Sequence, residues 1–241
     1  MDRAAYAGMN AVESRHWWFV ARRAIIDTLI RRALGAQRGR TILEAGCGTG
    51  GNLAMLSQHG KLSAFEYDAQ ARTIAAEKKI CPVDAGALPD AVPATDTPFA
   101  IVAMMDVLEH IDDDRASLHT LGNMLAADGR LLITVPALPL LWSSHDELHH
   151  HKRRYTRASL RKALSDAGLQ VESLGYFNCL LFPLALAQRL VAKLSRHADP
   201  VDALPSPPVN AVLRAIFAAE RFLIARVPMP IGLSLYAVAR K

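Results

Sequence analysis

Cysteine is scarce in this chain of 241 residues: Cys47, Cys81 and Cys179 lie far apart, with no CxxC or CxxH spacing. A disulfide framework and a structural zinc site are therefore not expected, and a reducing compartment fits best. Aromatic residues make up only 6%. Few of them stand among the basic residues and no nucleic-acid module is legible, so nucleic acid is not an expected partner. Long apolar runs are missing as well. The charge-free stretch at 173–188 has 16 residues and holds Gly175, Asn178 and Pro183. It is shorter than the roughly 20 residues of a bilayer span, and it reads as a strand end running into a buried or interfacial helix. No secretory leader is expected, because the first 30 residues carry Arg3, Glu13, Arg15, Arg22, Arg23 and Asp27. Internal repeats and low-complexity tracts are absent.

What remains is a globular composition, 51% hydrophobic and 21% charged, with enough apolar surface for one sizeable core. The net charge of +5 is unevenly spread: +5 over residues 1–40, −9 over 41–150 and +9 over 151–241. An acidic centre between basic ends suits a cationic ligand in the middle or an anionic partner at the ends.

Apolar residues at helical spacing from Trp18 to Ala33 predict a helix stopped by Gly35. Strands are predicted at 41–44, 62–66, 80–83, 99–105, 131–135, 169–176 and 232–239. Between the early strands lie helices, one opened by Asp68 as N-cap over 69–79, one opened by the acids 112–114 and ending near Gly129, and one from Thr156 to Gly168. Five strand–helix alternations argue for an open, doubly wound α/β sheet with helices on both faces. Two apolar helical stretches, 180–194 and 209–224, flank a proline-rich linker and form an insert before the last strand.

The turn Gly46-Cys47-Gly48-Thr49-Gly50-Gly51 after the first strand is the most informative segment. Such a turn lets backbone amides approach a ligand at a helix N-terminus. Taken alone it fits a dinucleotide, and an NAD(P)-dependent oxidoreductase is the alternative reading. Glu44, two residues earlier, is awkward beside a pyrophosphate and well suited to a ligand bearing an ammonium group and a sulfonium. Glu66, 22 residues after Glu44, ends the second strand, where a carboxylate can accept from both ribose hydroxyls.

Leu43-Glu44-Ala45-Gly46-Cys47-Gly48-Thr49-Gly50 resembles the first motif of class I S-adenosylmethionine-dependent methyltransferases. Ala64-Phe65-Glu66-Tyr67-Asp68 resembles their ribose-binding acidic loop, Asp84-Ala85-Gly86-Ala87-Leu88-Pro89 their adenine loop, 99–110 their fourth strand and its end, and Gly129-Arg130-Leu131-Leu132-Ile133 their fifth. The resemblance covers about residues 40–176 and the last strand. It implies a Rossmann-like doubly wound sheet of seven strands with the last strand antiparallel. It also implies S-adenosylmethionine as cofactor. By the same resemblance Gly46 and Gly48 cradle the methionine part, Glu44 fixes the turn and faces the amino group, and Glu66 with Tyr67 meets the ribose. Asp84 and Ala85 meet the adenine, and Met105 and Asp106 line the region near the sulfonium. The ribose acid is glutamate where aspartate is commoner.

In open α/β sheets the acceptor meets the loops beyond the carboxyl ends of the strands. Here those loops carry His110, His145, His149, His150 and His151, and one of His110, His145 or His151 is the expected base for a hydroxyl acceptor. No metal is expected, because the histidines lack a matching carboxylate pattern; Glu109 reads as a solvated acid. Glu13-Ser14-Arg15-His16-Trp17-Trp18-Phe19 with Arg22-Arg23, and His145-Asp146 with His151-Lys152-Arg153-Arg154-Tyr155-Thr156, together resemble a bacterial methyltransferase subgroup with an HWWF-type N-terminal helix and an H-x-RRY segment. That pairing implies Trp17 and Trp18 as a lid. It implies Arg154 and Tyr155 at the substrate, with Arg153 or Arg154 holding an anionic group or a nearby acid.

The expected organisation is a single methyltransferase domain over 1–241: an N-terminal helical lid at 1–40, a core at 41–178 and 229–241, and a helical insert at 179–228. The insert either shapes a pocket for a hydrophobic acceptor, meets a membrane surface or makes a dimer contact. Arg189, Lys193 and Arg196 along its first helix suit acidic lipid or an acidic carrier protein. The expected acceptor is a small hydrophobic or aryl molecule, free or carrier- or lipid-linked, and the expected location is cytoplasmic with peripheral contact at the inner membrane face.

Overall fold

A computed structural model describes residues 3–35, 40–195 and 204–241. Seven strands form one sheet: β1 Arg40–Ala45, β2 Gly60–Glu66, β3 Val83–Ala85, β4 Phe99–Met105, β5 Leu125–Pro136, β6 Gln170–Phe177 and β7 Ser234–Arg240. Their order is β3-β2-β1-β4-β5-β7-β6. The pairs from β3 to β5 are parallel, and β7 runs antiparallel to both β5 and β6. Strands β1, β4, β5 and β6 thus end on the same side. The order reverses between β1 and β4, which opens a crevice at their carboxyl ends.

The helices are α1 Arg3–Val12, α2 Trp17–Leu34, α3 Leu53–Leu56, α4 Ala69–Glu77, α5 Asp114–Asn123, α6 Ser144–Leu148, α7 Arg157–Asp166, α8 Phe182–Ser195 and α9 Pro207–Ala219. Asp68 caps α4 by accepting from the Gln70 and Ala71 amides, each at 2.9 Å. Thr156 caps α7, and Gly35 ends α2 with a φ of 61°, a conformation that favours glycine. Among the described residues no helix is long and apolar enough to cross a membrane.

Side chains alternate across the sheet and build two cores. Ile42, Ile101, Ala103 and Leu132 face Ile25, Ile26 and Leu29 of α2, with Leu53 of α3 and Phe217 of α9 in the same cluster. Leu43, Val102, Met104, Leu131 and Ile133 face Leu118 and Leu121 of α5 and Leu160 and Leu164 of α7. All seven residues of β4 are buried, as a central strand covered on both faces must be.

Two strand starts differ from the sequence expectation by three residues or more. The third strand starts at Val83 rather than residue 80, because Pro82 has no N–H to give to a ladder. The fifth strand starts at Leu125, so α5 stops at Asn123 and not near Gly129. Leu125 is already buried in the core, and its packing outweighs a helix pattern that Gly122 weakens.

Candidate active site

The site grows from the turn after β1. Gly46 has a φ of 74°, and a Cβ there would lie 2.8 Å from Cγ2 of Val107. No larger residue fits, because the loop after β4 passes directly against the turn. The amides of Gly46 and Cys47 donate to the Phe65 carbonyl at 2.9 and 3.1 Å, which ties the turn to the end of β2.

Two carboxylates frame this turn. Glu44 is 1% exposed; its Oε1 accepts from Asn52 Nδ2 at 2.9 Å, while Oε2 is buried without a hydrogen-bond donor among the described residues. Burial pushes its carboxyl from the usual range up to about 8, against the opposing Asn52 hydrogen bond and the Arg22 charge. Glu66 points at the turn: Oε2 accepts from the Gly48 amide at 2.7 Å and Oε1 from the Asp68 amide at 2.9 Å. Asp84 and Ala85 lie on β3 beside β2, in register with Phe65 and Glu66, and both are exposed. Tyr67 is 80% exposed.

Helix α1 lies over the same turn. The position of a Gly48 Cβ is 3.9 Å from Cε of Met9, and that of a Gly51 Cβ is 2.5 Å from Oε2 of Glu13. Glu13, just beyond α1, accepts from Thr49 Oγ1 at 2.8 Å and pairs with Lys78. Burial and the nearby Glu66 and Asp68 charges raise the Tyr6 hydroxyl to about 12.

At the end of β4, Met105 is buried at 6% exposure and Asp106 adopts a φ of 56°. The Arg22 guanidinium of α2 meets the Asp106 carboxylate at 2.5 Å and donates to Thr134 Oγ1 at 2.8 Å. Thr134 in turn donates to Asp106 at 3.2 Å. Trp18 lies beside this group, with the Arg22 guanidinium 5.2 Å from its ring centroid, a cation–π distance. Trp17 turns the other way: its amide donates to Asn210 of α9 at 2.8 Å and its ring packs edge-on against Phe217 at 6.0 Å. Met9 and Glu13 of the α1 region contact the glycine turn, whereas on α2 Trp18 packs against Arg22 and Trp17 against α9.

Beyond Asp106 the chain makes a 3₁₀ turn, Leu108–His110. Glu109 is fully buried, and among the described residues neither of its oxygens has a hydrogen-bond donor from another residue. Burial and the Asp106 charge hold its carboxyl well above the usual range. The rings of His110 and His151 are 4.7 Å apart, edge to face. Burial, then His151, lower His110 to about 3, so its imidazole is neutral. His151 bonds through Nδ1 to Asp146 Oδ1 at 2.9 Å. The structure thus brings His110 and His151 together. His145 lies on α6, and its side chain is outside the described residues.

The H-x-RRY segment holds this corner in place. Arg154 is buried and grips Asp146 with two hydrogen bonds, 2.7 and 2.9 Å long, while a third reaches the Ala137 carbonyl at 3.1 Å. Burial opposes ionisation of Asp146, yet hydrogen bonds from His151 and Arg154 hold its carboxyl well below the usual range. Tyr155 is 3% exposed and donates to Asp114 at 2.8 Å. Lys152 and Arg153 pair with Asp112 and Asp114 at 2.6 and 3.0 Å. Arg154 and Tyr155, expected at the substrate, are both buried, 7% and 3% exposed. Both guanidinium groups meet a nearby acid, because a buried guanidinium needs a matched anion.

In the sequence Arg22 and Glu13, both within the N-terminal motif, have no assigned role, and Glu109, which is buried, reads as a solvated acid. Arg22 carries a local signal, because it falls four residues after Trp18 and four before Ile26 on the buried face of α2. A charge inside an apolar stripe implies a buried partner.

The residues around the turn fit the cofactor that the motifs imply. The turn cannot carry a Cβ at Gly46, a carboxylate is aimed at it from β2, and a buried carboxylate oxygen at the end of β1 lacks a donor. A methyltransferase domain family matches residues 17–174. No curated protein matches the chain. Among solved structures, one from the complex between the Haloferax volcanii Trm112 methyltransferase activator and a methyltransferase has a TM-score of 0.63 at 20% identity, covering 98% of this chain and 94% of that one. An S-adenosylmethionine-dependent methyltransferase from Clostridium acetobutylicum has a TM-score of 0.59 at 10% identity and 90% coverage of both chains. The [4+2]-cyclase SpnF has a TM-score of 0.58 at 18% identity, covering 90% of this chain and 81% of its own. These likenesses concern the fold. The NAD(P) reading of the glycine turn finds no support in them. The chain belongs to the methyltransferase domain family whose pattern spans residues 17–174, and it is a class I S-adenosylmethionine-dependent methyltransferase.

Proposed function

We propose that the protein methylates oxygen on a small hydrophobic or aryl acceptor, free or linked to a carrier or lipid. When bound, S-adenosylmethionine supplies a methyl carbon on positively charged sulfur. The chain's part is to align donor and acceptor and to keep water out. Glu44, Gly46 and Gly48 hold the amino-acid end, Glu66 and Tyr67 the ribose, Asp84 and Ala85 the adenine, and Met105 with Asp106 lines the reacting end. Helix α1 acts as the lid, since Met9 and Glu13 already lie on the turn.

The observation that carries the oxygen reading is the cluster of Glu109, His110 and His151 just beyond Asp106. A hydroxyl needs help to lose its proton near neutrality, and this buried polar corner is where that help is available. The hydrophobic reading rests on the insert, which leaves β6 on the carboxyl side of the sheet. Its Leu180, Leu184, Val209, Val212 and Phe222 are exposed. Of its basic residues, the side chains of Arg189 and Lys193, and all of Arg196, lie outside the described residues. We place the protein in the cytoplasm on its three free cysteines, with peripheral membrane contact through the insert.

The test is labelled methyl incorporation into hydroxyl, amine and thiol acceptors, offered free, carrier-linked and in acidic-lipid vesicles. Label in an ether or ester oxygen supports the reading. Label confined to nitrogen, sulfur or carbon refutes it.

A further inference from the structure

We propose that Glu109, His110 and His151 form a binding site for one divalent transition-metal ion of the zinc class. One ligand atom from each residue lies within 4.8 Å of the other two. Around a tetrahedral zinc with donors at about 2.0–2.1 Å, those donors stand roughly 3.4 Å apart, so small side-chain rotations close the set.

Glu109 supplies the strongest reason. It is 0% exposed, and among the described residues neither oxygen has a hydrogen-bond donor from another residue. A fully buried carboxyl without such partners is rare and calls for an ion or another explanation. The cations whose charges reach it, Arg22 and Arg154, are engaged elsewhere, with Asp106 and Asp146.

The two imidazoles are held as metal ligands are held. His151 uses Nδ1 on Asp146 at 2.9 Å, and Asp146 is itself fixed by Arg154 and by the Ser143 amide at 2.8 Å. A carboxylate behind one ring nitrogen sets the tautomer and the ring orientation, as it does for metal-bound histidines. The His110 ring stands edge to face against that of His151, with 4.7 Å between the centroids. The Lys152 amide donates to the Glu109 carbonyl at 2.8 Å, locking the loop after β5 onto the loop after β4. Two imidazoles and one carboxylate favour zinc, iron or manganese over magnesium or calcium.

The ion's role, though not its binding, rests on the oxygen-acceptor reading above. A cation here draws the proton from a hydroxyl that it touches, and the proton passes to solvent. The oxygen lone pair then forms the O–C bond, and the C–S pair returns to sulfur. His151 and His110 are in that case ligands, and neither is the base.

The full-length protein, dialysed against chelator, is titrated with zinc chloride by calorimetry; S-adenosylhomocysteine is titrated into the same preparation. The expected result is one zinc per chain, with affinity falling about 100-fold in Glu109→Gln and in His151→Ala, while both variants still bind S-adenosylhomocysteine. Cobalt(II) added to the unmodified protein should give the intense visible bands of a low-coordinate protein site, a readout that needs no variant. Absence of stoichiometric zinc binding, undiminished affinity in Glu109→Gln, or only the aqueous cobalt spectrum would overturn the site. Zinc binding without S-adenosylhomocysteine binding upholds this site and sinks the methyl-transfer reading; the reverse sinks this site alone.

Discussion

Arg22 of the N-terminal α2 meets Asp106 at the end of β4 at 2.5 Å, across the crevice where the strand order reverses. The pair joins a helix outside the sheet to the strand end nearest the reacting groups, and Thr134 of β5 completes it. The N-terminal segment is therefore part of the site, not an appendage to it.

Removing Arg22 leaves Asp106 with Thr134 alone, and takes away the cation whose field reaches Glu44 and Glu109. Arg22→Ala is expected to cost about 3 kcal/mol, the lower end for breaking a buried ion pair. Cofactor affinity should fall as well. Urea denaturation and calorimetry on the variant check both; a change within about 0.5 kcal/mol, the scale of an ordinary surface substitution, would contradict the arrangement.

Glu44 makes both stability and binding depend on pH. Its folded pKa of about 8 lies above the ordinary 4.5, so the folded chain keeps a proton that the unfolded chain releases. The stability it contributes is full below the ordinary value and is lost as pH rises through about 8. A cofactor ammonium beside it favours the ionised form, so binding near pH 7 should release up to about one proton. Titration in buffers of different ionisation enthalpy measures that release. Glu44→Gln should abolish it, and an unchanged release would assign the proton to another group.

Glu66 offers its carboxylate to two amides at the glycine turn. Glu66→Ala is expected to weaken S-adenosylhomocysteine binding at least tenfold, roughly the 1.4 kcal/mol of one good hydrogen bond to a charged group. It should lower the melting temperature by only a few degrees, on the order of a 1 kcal/mol loss. Unaltered affinity would remove Glu66 from the ribose role.

If α1 is the lid, its amides should exchange with deuterium more slowly once S-adenosylhomocysteine is bound, because ordering over the turn protects them. Hydrogen-exchange mass spectrometry over residues 3–12 reads this directly. Equal exchange in the two states would mean that α1 is a fixed cover.

The glycine turn, Glu44, Glu66 and the strand order were legible because each is a local consequence of backbone chemistry. Gly46 must have no Cβ, Asp68 must cap α4, and β4 must be apolar throughout. The acceptor corner was not legible in the same way. Glu109 is followed by His110 and then Asp112–Asp114, an acidic run that looks solvated, and only the fold brings His151 back against it. Arg22 finds its partner Thr134 112 residues away, beyond any local pattern. Arg154 left two alternatives open in the sequence, an anionic group or a nearby acid, and only the fold puts Asp146 beneath it. Helix α1 falls inside the expected helical lid at 1–40, but its bounds were not legible, because its sequence gives no capping signal and little beyond a run without charge; its place comes from packing on the turn.

The central claim is that this crevice holds an adenosyl sulfonium compound and not a dinucleotide. Calorimetric titration of the purified chain with S-adenosylhomocysteine and, separately, with NAD tests it most directly. The expected result is one saturable site for S-adenosylhomocysteine, weakened in Glu66→Ala, and no heat of binding for NAD. Saturable binding of NAD with none of S-adenosylhomocysteine would contradict the account.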